Sequence, residues 1–292
     1  METRRLRILL ELSRLGSMRA VADEMGLTTS TVSQQIAALA RETGTALIEP
    51  VGRRIRLTPA GRRLAEHSVD ILAAVEAARL DLDPDADPAG TVRVSGFATA
   101  IRRSLLPIVA ELRARDSRVR VAIREHEPFE QFALLASDDI DLALTYDYNL
   151  APAAFDATLV ARPLWSVPWS LGVPAGSEDG DFRGHDWIVN SRNTADADVV
   201  RTLASIAGFT PAIVHEADSL ELVQDLIVAG LGVGMLPADH PVQAGVRLMP
   251  LSDPPVLLRA YAVTRRGRAG WPPLALLLRM LRPSIMPAGA GP

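Results

Sequence analysis

The sequence predicts an α/β protein in three parts: a small helical head closed by a β-hairpin, one long helix, and a body of alternating strands and helices. Three observations carry this prediction. In residues 1–58, short amphipathic segments are punctuated by Gly16 and Gly26 and followed by an alternating apolar run with Gly52 at its turn. In residues 59–82, apolar side chains recur at steps of three and four until Pro84. From Thr91 onward, strand-like and helix-like segments alternate, the pattern of a sheet covered by helices.

A chain of 292 residues suits two or three domains, and 48% apolar content supplies a sizeable core. There is no cysteine, which excludes disulfides, thiolate metal sites and cysteine nucleophiles. Lysine is absent too, since all 31 basic residues are arginine, so P-loop and Schiff-base chemistry are excluded. No apolar run reaches the roughly 18 residues that a membrane helix needs. Glu11 and Arg14 interrupt the N-terminal METRRLRILLELSR, so no signal peptide is expected; the sequence predicts a cytoplasmic protein with no membrane partner. The net charge of −4 is unevenly spread. Residues 1–64 carry 11 arginines against 6 acids, and the remainder 20 against 29. A basic head on an acidic body points to a polyanion partner for the head alone.

Within the head, a first helix over about residues 3–14 has the stripe Leu6, Leu9, Leu10 and Leu12 and ends at Gly16. Ser17 is placed to cap a second helix, Met18 to Met25, and Gly26 to end it. Thr28 then caps a third, in which Val32, Ile36 and Leu39 share one face. The opposite face carries Ser30, Ser33 and Gln34, with Thr29 and Thr31 beside it. Hydroxyls are poor helix-interior residues, but at the exposed N-terminal end of a helix they suit base edges and phosphates. A short turn containing glycine between the second and third helices fits a helix-turn-helix. Ile55 and Leu57 alternate in a hairpin whose tip holds Arg53, Arg54 and Arg56, a basic wing suited to phosphates or the minor groove.

The run AVADEMGLTTSTVSQQIAALARETGTALIEPVGRRIRLTPAGRRL resembles the winged helix-turn-helix of LysR-type transcriptional regulators. Its landmarks are the alanine-rich second helix, Ser33, Gln35-Ile36, Leu39, Gly44, Leu47, the Gly-Arg-Arg wing and Leu57 to Gly61. Departures are Ile48, Pro50 and Ala40, together with Ala37 and Ala38 where the family often has basic residues. These put more weight on Arg53, Arg54 and Arg56 as phosphate contacts.

After the wing, Thr58 and Pro59 open a helix that runs to about Leu82. Leu64, Ser68, Ile71, Val75, Ala78 and Leu82 form a seam that wants a partner. The acidic, proline-rich DLDPDADPAG reads as a hinge. The resemblance implies a linker helix pairing two subunits, hence homodimers or homotetramers on double-stranded DNA with two-fold character.

In the body, TVRVSG, VRVAIRE and IDLALTY are strands separated by helices at Ile101–Arg115 and Phe129–Ser137. WSLGVP, DWIVN, AIVHEA, GVGMLP, VRLMPL and RAYAVTRR are further strands. Helices are expected at Ala195–Ala207, Ser219–Ala229 and Trp271–Leu281. The resemblance extends through SLELVQDLIVAGLGVGMLPAD and so over nearly the whole chain. It implies two α/β subdomains resembling a periplasmic binding protein, with crossovers near Ala161 and Leu258. The expected layout is 1–58 for DNA binding, 59–90 for linker helix and hinge, and 91–292 for effector binding. Subdomain I then takes 91–161 plus 259–283, and subdomain II 162–258.

Open α/β sheets bind ligands beyond the carboxyl ends of their strands. That selects Phe97 and Thr99, Pro128 and Phe129, and Tyr146 in one lobe. In the other it selects Asn190, Arg192, Thr194 and Asp218. Arg192 could hold a carboxylate of a small-molecule effector bidentately, whereas Arg102 and Arg103 read as a solvated helix face. AGLGVG follows a helix and precedes a strand, backwards for a dinucleotide fingerprint, so it reads as capping and packing. The five scattered histidines give no metal spacing, Glu125-His126-Glu127 reads as a wet strand end, and no nucleophile elbow is present. The expectation is a non-enzymatic regulator with no cofactor and no catalytic or metal site. The alternative is a small-molecule binding protein whose head has lost DNA binding, which Ala37, Ala38 and Pro50 favour. An enzyme with an N-terminal interaction module would need a catalytic set that the sequence does not offer.

Overall fold

A computed structural model describes residues 1–51, 54–83, 87–177, 183–190, 194–251 and 253–281. The head opens with α1 (Thr3–Leu15), which buries Leu6, Ile8, Leu9, Leu10 and Leu12. In α2 (Met18–Met25) the Ser17 hydroxyl accepts from the Ala20 N–H at 3.5 Å. Gly26, at φ 63°, turns the chain into α3 (Thr29–Thr43), where Thr28 Oγ1 accepts from the Thr31 N–H at 3.2 Å. Val32, Ile36 and Leu39 of α3 are fully buried against α1 and α2, as their spacing predicts. Strands β1 (Ile48–Val51) and β2 (Arg54–Leu57) pair antiparallel as the wing.

Thr58 caps α4 (Pro59–Leu82), a 24-residue helix with proline in its first turn. Its two ends differ. Ala65, Ser68, Val69, Leu72 and Ala73 are buried within the chain, against α1 and the end of the body. Ser68 sits in this packed face and donates to the Leu64 carbonyl at 2.7 Å, which satisfies its hydroxyl inside the helix. Further along the expected seam, Ile71 and Val75 are half-buried and Ala78 and Leu82 exposed. The seam residues therefore divide between packing on their own chain and facing outward.

The body contains β3 (Gly90–Gly96), α5 (Ala98–Ala100), α6 (Leu106–Ala114), β4 (Val119–Glu125), α7 (Pro128–Ala136) and β5 (Leu142–Tyr148) in its first half. The helix expected over 101–115 is present: it starts earlier, at Ala98, runs without a break to Ala114, and is π-helical over Ile101–Leu105 between α5 and α6. The chain continues through β6 (Leu159–Pro174), β7 (Asp186–Val189), α8 (Thr194–Ile206), β8 (Ala212–Glu216), α9 (Leu220–Val228), β9 (Val233–Pro237), β10 (Val246–Pro250) and β11 (Val256–Arg265). A short 3-10 turn (Arg268–Gly270) and α10 (Pro272–Met280) close it.

One sheet runs through both lobes in the order β4-β3-β5-β11-β6-β9-β7-β8, with β10 also on β6. In each parallel set the first strand is central: β3 lies between β4 and β5, and β7 between β8 and β9. Antiparallel β6 and β11 join the two sets. The expected crossover positions Ala161 and Leu258 fall on these two strands. β6 is much longer than WSLGVP suggested. It pairs with β11 from Leu159 to Trp169, then with β9 and β10 from Trp169 to Pro174. Gly230 and Gly232 connect α9 to β9, and a Cβ at Gly232 would strike the Asp186 carbonyl of β7, so AGLGVG is a packing feature.

Candidate functional site

The polar face of α3 lies in the open. Thr28, Thr29, Ser30, Ser33 and Gln34 are exposed, and Thr31 is half-buried. The Thr28 hydroxyl lies 2.9 Å from that of Ser30 and 2.8 Å from that of Thr31, so the three form one hydroxyl cluster at the helix N-terminus. Ser17 is half-buried and committed to its capping bond, but stands at the start of α2 on the same head. Behind this face, Arg5 of α1 donates to Gln35 Oε1 at 3.0 Å and pairs with Glu42, tying α1 to α3. That bond fixes how α3 is presented.

On the wing, register places Arg56 opposite Glu49, and the two form an exposed ion pair at 2.7 Å. An exposed pair is worth under about 1 kcal/mol, so a phosphate can displace it. Arg53 lies outside the described residues. Arg54 is placed on β2, but its side chain is not described.

Between the lobes of the body lies a cleft of about 680 Å³. That volume falls within the range of small-ligand sites. Phe97, Tyr146, Trp165 and Trp169 line it, and the buried Tyr148 connects them from behind. Phe97 meets Tyr146 at 4.7 Å and Trp165 at 6.2 Å; Tyr146 meets Tyr148 at 5.9 Å; Tyr148 meets Trp169 at 5.4 Å. Tyr146 Oη donates to Glu127 Oε2 at 3.0 Å, and Trp165 Nε1 to Ser104 Oγ at 2.9 Å. At the mouth, Arg103 stacks 4.7 Å over Trp165 and reaches Asp239 of the other lobe at 3.4 Å. The second lobe contributes Asn190, Asp196, Asp218 and Ser219, with the Ser219 hydroxyl capping α9.

Asp196, in the first turn of α8, is the most perturbed acid on these walls. Burial raises its carboxyl; the Tyr148 hydroxyl and the Asn190 backbone lower it and Asp218 raises it, leaving it at about 6. Its Oδ1 is sealed from solvent, although the residue as a whole is only half-buried. The Tyr148 hydroxyl and Asp196 shift each other's titration through a hydrogen-bonding contact, but neither Asp196 Oδ1 nor Tyr148 Oη has a partner at well-aligned hydrogen-bond geometry.

The structure brings Phe97, Thr99, Tyr146, Asn190 and Asp218 together on the cleft walls. Pro128 and Phe129 do not join them, which corrects that expectation. Pro128 is buried at the first position of α7, while Phe129 is 81% exposed. The inward face of α7 is set by Gln131 and Leu135, and a helix turn of 100° per residue points position 129 away from both. Arg192 lies outside the described residues; Thr194 begins α8, and its side chain is not described.

Arg102 and Arg103, on the π-helical stretch, are exposed but line the cleft rather than a merely solvated face. Glu127 is no wet strand end: it is buried, bonded to Tyr146, and part of a capping box with Glu130. Trp165, Trp169 and Asp196 were not anticipated. The alternation of large apolar residues in LWSVPW was the one available signal for the two tryptophans. Among the described residues no group of acids and histidines could hold a metal.

Two family profiles match the chain. "Bacterial regulatory helix-turn-helix protein, lysR family" covers residues 3–62, and "LysR substrate binding domain" covers 85–285. Among curated relatives, the transcriptional dual regulator GltC of Bacillus subtilis (strain 168) is 27% identical over 245 residues, 81% of each chain. The HTH-type transcriptional regulator IlvR of Caulobacter vibrioides is 28% identical over 272 residues, 89% of this chain and 90% of its own. Among solved structures, a full-length OxyR from Pseudomonas aeruginosa superimposes with TM-score 0.69 at 20% identity, covering 96% of this chain and 93% of its own. Full-length LysG from Corynebacterium glutamicum, with bound effector Arg, gives TM-score 0.63 at 20% identity and covers 96% of both chains. These two share the fold. The chain belongs to the LysR family of transcriptional regulators: it is a DNA-binding regulator with an effector-binding domain, and not an enzyme.

Proposed function

We propose that the exposed face of α3 reads DNA, with Thr28, Thr29, Ser30, Ser33 and Gln34 meeting base edges and phosphates. Ser17 and Thr31 support it at the helix starts, and Arg53, Arg54 and Arg56 of the wing hold phosphates. The carrying observation is the hydroxyl cluster at the α3 N-terminus, exposed and bonded only within itself and to its own helix. The domain layout proposed is 1–58 for DNA, 59–90 for linker and hinge, and 91–292 for the effector.

The effector occupies the inter-lobe cleft and acts by favouring one arrangement of the lobes, which requires unequal affinity for two states. Any carboxylate on it belongs at the mouth beside Arg102, the cation there that lacks Arg103's bridge to Asp239. The protein works as a dimer or tetramer in the cytoplasm, where its DNA is. No helix among the described residues is long and apolar enough to cross a membrane.

Binding of the full-length chain to its own upstream intergenic DNA, titrated with salt and against unrelated DNA, tests the DNA-reading surface. Arg56→Ala should weaken binding to all sequences alike and lower the salt slope by about 1 per bound head. Gln34→Ala should change the sequence selected from random DNA. Weak binding that ignores both variants would leave a ligand-binding protein with an inactive head.

A further inference from the structure

The inner wall of the cleft is short of positive charge. Glu127 and Asp196 lie there, with Asp218 at its edge. The arginines among the described lining residues, Arg102 and Arg103, are exposed, and Arg103 is already engaged by Asp239 and the face of Trp165. Asp196 Oδ1 is shut off from water with no well-aligned donor, the Tyr148 hydroxyl being only loosely placed beside it, an arrangement that is costly unless something supplies a better one. The aromatic rings of Phe97, Tyr146, Trp165 and Trp169 line the same space, and aromatic rings attract a cation that reaches their faces. Buried carboxylates and ring faces both favour a cation and both repel an anion. Trp169 Nε1, also buried without a partner, leaves room for a ligand that carries an acceptor as well.

We propose that the inner cleft binds the protonated nitrogen of a small organic cation, an ammonium or guanidinium, with Asp196 as its carboxylate partner and the lining aromatic rings beside it. The proposal rests on the cleft being the effector site. A carboxylate on the same ligand would reach Arg102, making the ligand a zwitterion lying along the cleft. The competing account is that a small shift lets the Tyr148 hydroxyl satisfy Asp196 with no ligand at all.

The test uses full-length protein and a pair of probes matched in size and opposite in charge, phenethylamine and 3-phenylpropionate, with agmatine as a guanidinium probe. Binding is read by calorimetry and thermal shift. Phenethylamine or agmatine should bind more tightly than 3-phenylpropionate. Asp196→Asn, close in shape, should weaken the cation by at least about tenfold while its own melt shows it folded. Ala98→Trp, which fills the cleft, should abolish binding. Preference for 3-phenylpropionate, no binding of either cation, or cation binding unchanged by Asp196→Asn but lost in Ala98→Trp would overturn the proposal and leave the effector cleft standing. Cation binding that survives Ala98→Trp would instead show the cleft is not the site.

Discussion

At the scale of single residues, Asp196 is expected to give stability a pH dependence that originates in the inter-lobe cleft. The groups facing it are the Tyr148 hydroxyl, the Asn190 backbone and the Asp218 carboxylate, and burial is the largest influence. Its folded pKa of about 6 lies above the unfolded value, so the folded chain holds a proton that the unfolded chain has released. That contribution to stability is fully present below about pH 4 and is lost as pH rises through about 6. Asp196→Asn removes the charge and should make the protein more stable than the parent above pH 6, by on the order of 2–3 kcal/mol. Denaturant melts across pH 4–8 would check it; parallel curves for the two proteins would refute it. Arg56 shows what one-dimensional reading misses at this scale. Its charge was plain in the sequence, but its pairing with Glu49 follows from the hairpin register, which seats residues seven apart side by side.

At the scale of elements, caps and periods were legible because they are local. Ser17, Thr28 and Thr58 each cap the helix expected of them, since an N-cap bond spans three residues, and Ser219, expected as the first residue of its helix, caps α9. The contact between linker and body was not legible. Gly267, at φ 81°, brings its backbone against the Asp70 carboxylate of α4. Nearby, Asp141 takes Arg93 at 2.9 Å and Arg268 at 2.8 Å, partners 48 and 127 residues away in sequence. Burial pushes Asp141 upward, but the hydrogen bond from Arg93 and the charge of Arg268 hold it below its ordinary value. Arg93 also feels Glu11 of α1, so this cluster sits where head, linker and body meet. Gly267→Ala would drive a Cβ into Asp70 from a left-handed backbone. We expect a loss of about 1–3 kcal/mol in stability. We also expect faster hydrogen exchange in α4 and α10. Unchanged exchange there would show the junction is not held by this contact.

For the whole molecule, α4 divides its apolar surface between its own chain and the outside. Leu82 is 85% exposed, in line with Val75 and Ala78 on a helix too long to be stable without packing. With the proposed dimer or tetramer paired through this face, Val75→Asp should give monomers in light scattering and weaken DNA binding by removing the second head. An unchanged mass would place the subunit interface elsewhere.

The sequence by itself determined the order of parts, the three capped helices and wing of the head, the length of the linker helix, the α/β alternation and the family. Each rests on hydrogen bonds, periods or motifs a few residues long. The tertiary structure decided the cleft. Its walls draw on Phe97, Trp169, Asp196 and Asp239, far apart in the chain, and β6 and β11 bring them together by crossing between lobes. It also turned Phe129 out to solvent on the first turn of α7 and set Arg103 against Trp165 and Asp239 at the cleft. Which side chains share a cavity depends on long-range strand order and helix rotation, and no local pattern in the sequence encodes either.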